Sequence, residues 1–69
     1  MSATGTFWIK ERHNPQLGIY WVACGRLSKR EAKRAESPLY GVNYMFSYDT
    51  EEAYLARLAE LREKGERVQ

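Results

Sequence analysis

Large apolar residues crowd three short runs of this chain. Phe7, Trp8 and Ile9 fall within residues 6–12, Ile19, Tyr20, Trp21 and Val22 within 18–25, and Tyr40, Val42, Tyr44, Phe46 and Tyr48 within 40–48. Aromatic and β-branched residues at this density favour strands. Between the first two runs, Asn14-Pro15-Gln16-Leu17-Gly18 is turn chemistry, because proline pre-sets its own φ and glycine tolerates positive φ. The two runs therefore predict a β-hairpin.

The remaining segments carry helix punctuation. Ser28 and Glu31 match a capping box, a hydroxyl at the N-cap and a carboxylate that reaches back three residues later. Leu27 and Ala32 are placed as its hydrophobic staple. This first helix runs to about residue 36, where Ser37-Pro38 stops it, since the residue before proline avoids the α region. A second box, Asp49 with Glu52, opens a helix to about residue 64, and Gly65 sits where a C′ glycine belongs. Tyr54, Leu55, Leu58 and Leu61 fall on one stripe of it. Acids gather in its first turn and bases in its last, as the helix dipole favours.

The element order is ββαβα, an α+β fold. The expected sheet has three antiparallel strands in order 2-1-3, with both helices packed on one face. Residues 1–69 read as a single small domain, with 1–5 a flexible start and 66–69 a flexible tail.

Neighbouring strand residues point to opposite faces, so Phe7-Trp8 and Tyr20-Trp21 put rings on both faces of the hairpin. A loop of residues 14–17 pairs His13 with Gly18, Ile9 with Val22 and Phe7 with Cys24. One face then collects Phe7, Ile9, Tyr20, Val22 and Cys24, joined by Val42, Tyr44 and Phe46. The other collects Trp8, Lys10, Arg12, Ile19, Trp21 and Ala23, joined by Asn43, Met45 and Ser47. Shifting the loop by one residue would set Val22 beside Lys10 and mix polar with apolar residues, which favours the first register. The first face closes a core with Leu27, Ala32, Ala35, Leu55, Leu58 and Leu61. The second is left uncovered, with Lys10 opposite Trp21 at cation–π range.

At 69 residues a chain buries only about 60% of its unfolded surface, so a partner is a plausible support. Cys24 is the sole cysteine and His13 the sole histidine. That excludes an internal disulfide, points to a reducing compartment, and leaves no pair with metal-ligand spacing. No signal peptide and no apolar run of spanning length is visible, so a cytoplasmic protein is expected. The net charge of +2 is small, but its distribution is uneven. Residues 1–25 carry +1, residues 26–36 carry +3 and residues 37–69 carry −2.

Catalysis finds little support. His13 falls in a turn and Cys24 faces the expected core, so no base stands beside a nucleophile. Gly18, Gly25, Gly41 and Gly65 follow no phosphate-loop spacing. The expectation is a non-enzyme without cofactor or metal. Two surfaces remain. The open sheet face, with Trp8, Lys10, Arg12, Trp21 and Met45, has the residue types of a protein interface. The basic helix, with Lys29, Arg30, Lys33 and Arg34 extended by Arg26, could contact phosphates. A hairpin, a basic helix, an aromatic strand and a closing helix at this size resemble the layout of small phage or mobile-element proteins, among them anti-CRISPR inhibitors. That resemblance implies a stoichiometric inhibitor that docks on a protein or nucleoprotein complex. The expected function is thus a small protein-binding module using the sheet face. The alternatives are a nucleic-acid-binding module using the helix, or a homodimer whose open faces meet.

Overall fold

The computed structural model describes residues 5–35 and 42–69. The chain runs β1 (Thr6–Asn14), β2 (Gly18–Leu27), α1 (Lys29–Ala35), β3 (Val42–Tyr48) and α2 (Glu51–Glu63). The sheet is antiparallel with order β2-β1-β3, so the α+β class, the element order and the strand order are as the sequence predicts. Residues 1–4 of the expected start, the Ser37-Pro38 stop and the expected strand residues Tyr40 and Gly41 lie outside the described residues.

The hairpin turns one residue tighter than expected. Asn14 pairs with Gly18, and the Asn14 Oδ1 accepts from the amides of Gln16 and Leu17 at 2.8 and 2.9 Å. This side-chain turn holds a three-residue loop in place of four. Lys10 therefore stands opposite Val22, and Ile9 opposite Ala23. A one-residue slip moves every side chain of a strand to the other face. The expected face assignment of β2 is accordingly inverted: Trp21 and Ala23 join Ile9, while Tyr20 and Val22 join Lys10 and Arg12.

A bulge then shifts the register again. Trp8 opposes Gly25 while Ile9 opposes Ala23, which leaves Cys24 as the extra residue. Gly25 adopts φ +75°, a left-handed backbone that glycine supplies without steric cost. Its amide donates to the Tyr54 hydroxyl at 3.0 Å, tying the irregular point of the sheet to α2.

The helices lie on opposite faces of the sheet, where the sequence put them on one. Tyr54, Leu58 and Leu61 of α2 pack with Ile9 and Trp21, flanked by Phe7, Ala23, Tyr48 and Val68. α1 lies over the other face. Its buried Ala32 shares a groove with Trp8, Met45 and Ser47, and its last carbonyl, at Ala35, accepts from Asn43 Nδ2 at 3.1 Å. The physical reason is the pair of ringed faces: each face carries a tryptophan, and each tryptophan has its own helix.

The helix ends largely follow the sequence. Ser28 and Glu31 form the reciprocal capping box. At α2 the N-cap is Thr50, whose Oγ1 accepts from the Ala53 amide at 3.1 Å, and this corrects the expected cap at Asp49. Beyond α2, Gly65 takes φ +84°. The Gly65 amide donates to Arg62 and that of Glu66 to Leu61, each at 3.0 Å, the double closure of a Schellman end. Leu55, expected on the buried stripe, is exposed.

Residues 66–69, read from sequence as a tail, run beside β2. Val68 bridges Trp21 in parallel, with Trp21 N donating to Arg67 O and Gln69 N donating to Trp21 O, both at 2.7 Å. The outer edge of β2 is thereby covered.

Trp21 lies in the core at 8% exposure, and large-to-small changes of this kind cost about 3–5 kcal/mol. Trp21→Ala should therefore lose a large share of the ~5–15 kcal/mol typical of a domain. A urea melt should show a collapsed midpoint; one unchanged from the parent would contradict the burial.

Candidate functional site

The face of the sheet under α1 presents three cross-strand rows. Trp8 lies between Gly25 and Ser47, Lys10 between Val22 and Met45, and Arg12 between Tyr20 and Asn43. Each row is built by the antiparallel pairing, which sets directly opposed side chains about 4.5–5.5 Å apart. Arg12 Nη1 donates to Asn43 Oδ1 at 2.9 Å, and Asn43 in turn donates to the end of α1. A polar chain thus runs from β1 through β3 to the helix.

Above these rows, Lys29, Ala32 and Lys33 fall on one helical stripe, at spacings of three and four residues. They close a groove of about 460 Å³ with Trp8, Met45 and Ser47. Trp8 is half-buried there, and its Nε1 has no hydrogen-bond partner. The outward side of α1 carries Arg30 and Arg34, which with Lys29 and Lys33 border a second, fully basic depression. All four bases are exposed. Lys29, Arg30 and Lys33 form no ion pair with a carboxylate among the described residues.

The two surfaces suggested by the sequence are therefore one. Trp8 and Met45 share a groove with Lys29 and Lys33, Lys10 and Arg12 stand on the same sheet face beside it, and Arg30 and Arg34 border the adjoining basic depression. Two residues leave the set. Trp21, expected beside Lys10, stands on the α2 face because of the register change. Its Nε1 donates to Glu66 Oε1 at 3.3 Å, and Arg57, not Lys10, stacks 5.6 Å above its ring. Arg26, expected to extend the helix patch, pairs with Phe7 beyond the bulge, and its guanidinium lies 4.8 Å over that ring. Phe7 itself contacts Tyr54 of α2 at 5.2 Å, so Arg26 belongs to the other side of the sheet.

Tyr20 and Val22 are the residues that the sequence reading leaves out of this face, because a four-residue loop puts both in the core. The Asn14 side-chain turn that shortens the loop reverses them, and asparagine at a turn start is the local signal for it.

The electrostatics of this side are one-signed. This side carries Lys10 and Arg12 on β1 and Lys29, Arg30, Lys33 and Arg34 on α1, and Glu31 is the one carboxylate within α1. Hydrogen bonds from the Ser28 backbone and hydroxyl hold the Glu31 carboxyl below its ordinary value, with Arg34 contributing in the same direction. Burial pushes the Cys24 thiol up, partly opposed by the charge of Lys10, which lowers its thiolate fraction at neutral pH. Cys24 lies beside Lys10 and Val22, not in the α2 core as expected. His13, expected as a turn residue, closes β1: its Nε2 lies 3.1 Å from Glu11 Oε2 without hydrogen-bond alignment, and its ring meets Tyr44 edge-on at 5.2 Å.

Among the described residues there is no cluster of three metal-ligating side chains and no helix long and apolar enough to cross a membrane. Comparison with protein-family models, curated proteins and solved structures finds no match for this chain.

The lowered Glu31 carboxyl carries a pH consequence for α1. A depressed folded value means that the cap favours the native helix above the ordinary glutamate range, and that this support is lost as pH falls through the folded value. Carboxyl titration by NMR should place the Glu31 midpoint below that of a free glutamate. In Ser28→Ala the midpoint should move back towards it and α1 should fray at its first turn.

Proposed function

We propose that the protein is a non-catalytic binding module that docks on nucleic acid through the face shared by α1 and the sheet. The observation that carries this reading is the groove that Lys29 and Lys33 of α1 form with Trp8 and Met45 of the sheet, on a face that also carries Lys10 opposite Met45 and Arg12 opposite Asn43. Five of the bases on this side, Lys10, Lys29, Arg30, Lys33 and Arg34, are available to neutralise phosphates. The acidic balance is held elsewhere, on the segment that contains α2. A basic groove with an aromatic floor suits a strand whose backbone follows the charges while a base meets the ring.

Contact with four or five phosphates makes binding steeply salt-dependent, with a log–log slope of about −4. Titration of labelled single-stranded and duplex DNA and RNA at several salt concentrations measures it. The double variant Lys29→Gln/Lys33→Gln should weaken binding and reduce the slope by about 2, one for each lost phosphate contact. Absence of binding to every probe at low salt would remove the reading.

A second reading keeps this face but makes the partner a protein. Trp8 and Arg12 flank Lys10 on one face of β1, with Met45 opposite Lys10, and Trp, Met and Arg are enriched at interfaces. A stoichiometric inhibitor of the anti-CRISPR kind would use the face in this way, on a target with an acidic surface. It would not act by mimicking nucleic acid, because such mimicry needs an acidic face and this one is basic. Failure to bind nucleic acid, with retention of an acidic protein partner that Lys29→Gln/Lys33→Gln releases, would favour this reading.

A further inference from the structure

We propose that β3 is the edge along which two copies of this chain join, antiparallel about a twofold axis. The two outer edges of the sheet differ. That of β2 is hydrogen-bonded to residues 67–69. That of β3 has no partner strand among the described residues. Exposed edges are ordinarily protected by lysine, proline, a bulge or a covering segment. The seven residues of β3, Val42–Tyr48, contain no charge and no proline, and their pairing with β1 is unbroken by any bulge.

Three large side chains of this strand are exposed on one side of the sheet. Val42, Tyr44 and Phe46 alternate onto the α2 side of the sheet and are 48%, 50% and 41% exposed. α2 leaves them bare because its buried residues, Tyr54, Leu58 and Leu61, sit over Ile9 and Trp21.

The occupant that fits this edge is a second β3. Antiparallel self-pairing centred on Tyr44 sets Tyr44 against its own copy and Val42 against Phe46, all on one side of the joined sheet. Apolar side chains meet apolar ones, and no like charges are brought together, which an isologous contact between charged strands would suffer. The paired stretch Val42–Phe46 spans roughly 17 Å at about 3.3 Å per residue. With three half-exposed side chains it falls short of the ~800 Å² per partner of a standard interface. The association is accordingly weak and grows with concentration.

Sedimentation velocity on the full chain, without nucleic acid, tests this independently of the function proposed above. The parent should pass from monomer to dimer as concentration rises through the micromolar range into the millimolar. Tyr44→Lys places two like charges face to face at the centre of the contact and should remain monomeric, with an unchanged far-UV spectrum as the check on folding. Ile19→Lys changes an exposed residue on β2, two strands from the joined edge and roughly 10 Å away, and should still dimerise. A parent that stays monomeric throughout overturns the proposal and leaves the edge to an unrelated strand. Loss of the dimer in Ile19→Lys to the same extent as in Tyr44→Lys overturns it in favour of face-to-face packing.

Discussion

The alignment of β1 with β2 governs most of this structure. Two local devices set it: the Asn14 side chain, which tightens the turn to three residues, and the Cys24–Gly25 bulge, which adds one residue to β2. The first decides that Trp21, not Tyr20, enters the α2 core. A Trp ring system carries up to ~250 Å² of surface. At about 25 cal/mol per Å², burying Trp21 outweighs the cost of leaving Val22 beside the aliphatic stem of Lys10. The tightened register is therefore the one in which the largest side chain of β2 meets Leu58 and Leu61. Tyr54 completes the arrangement by packing in that core while its hydroxyl takes up the amide that the bulge would otherwise leave unpaired.

The same constraint explains the three layers. Once Trp21 is committed to α2, Trp8 and Met45 remain on the far face and need cover of their own. The chain leaves β2 at Leu27, which pairs with Thr6 on the Trp8 side, so α1 follows naturally onto that face. Its buried Ala32 permits close approach, and Asn43 anchors its far end. A short helix with one small buried residue covers a sheet incompletely, and what remains is a groove rimmed by lysines. Joined at β3, two copies would present two such grooves on one side of a continuous sheet.

Much of this was legible in the sequence, and the pattern of success is physical. The Ser28–Glu31 box, the Gly65 stop and the Tyr54, Leu58 and Leu61 stripe depend on residues within a few positions of one another, and each appears as read. Strand order followed from the hairpin and the short crossover. Which residues share a face across β1 and β2 was not legible, because alternation fixes sides within one strand and says nothing of its alignment with the next. A single residue of loop length exchanged Trp21 for Tyr20 and moved Cys24 out of the core. For the site, Trp8, Lys10, Arg12 and Met45 share a face as read, because alternation along β3 put Met45 on the face opposite Tyr44 and Phe46. Their union with Lys29 and Lys33 was missed because the side of the sheet taken by α1 depends on where the bulged β2 ends.

The division of the tryptophans between the two faces makes the protein its own optical sensor. Trp21 is enclosed by Phe46, Arg57 and Glu66, so its emission reports the integrity of the core. Trp8 floors the basic groove, so its emission reports occupancy. A quencher dissolved in the buffer reaches the half-buried Trp8 more readily than the buried Trp21. The two signals separate loss of structure from arrival of a ligand within one unlabelled molecule.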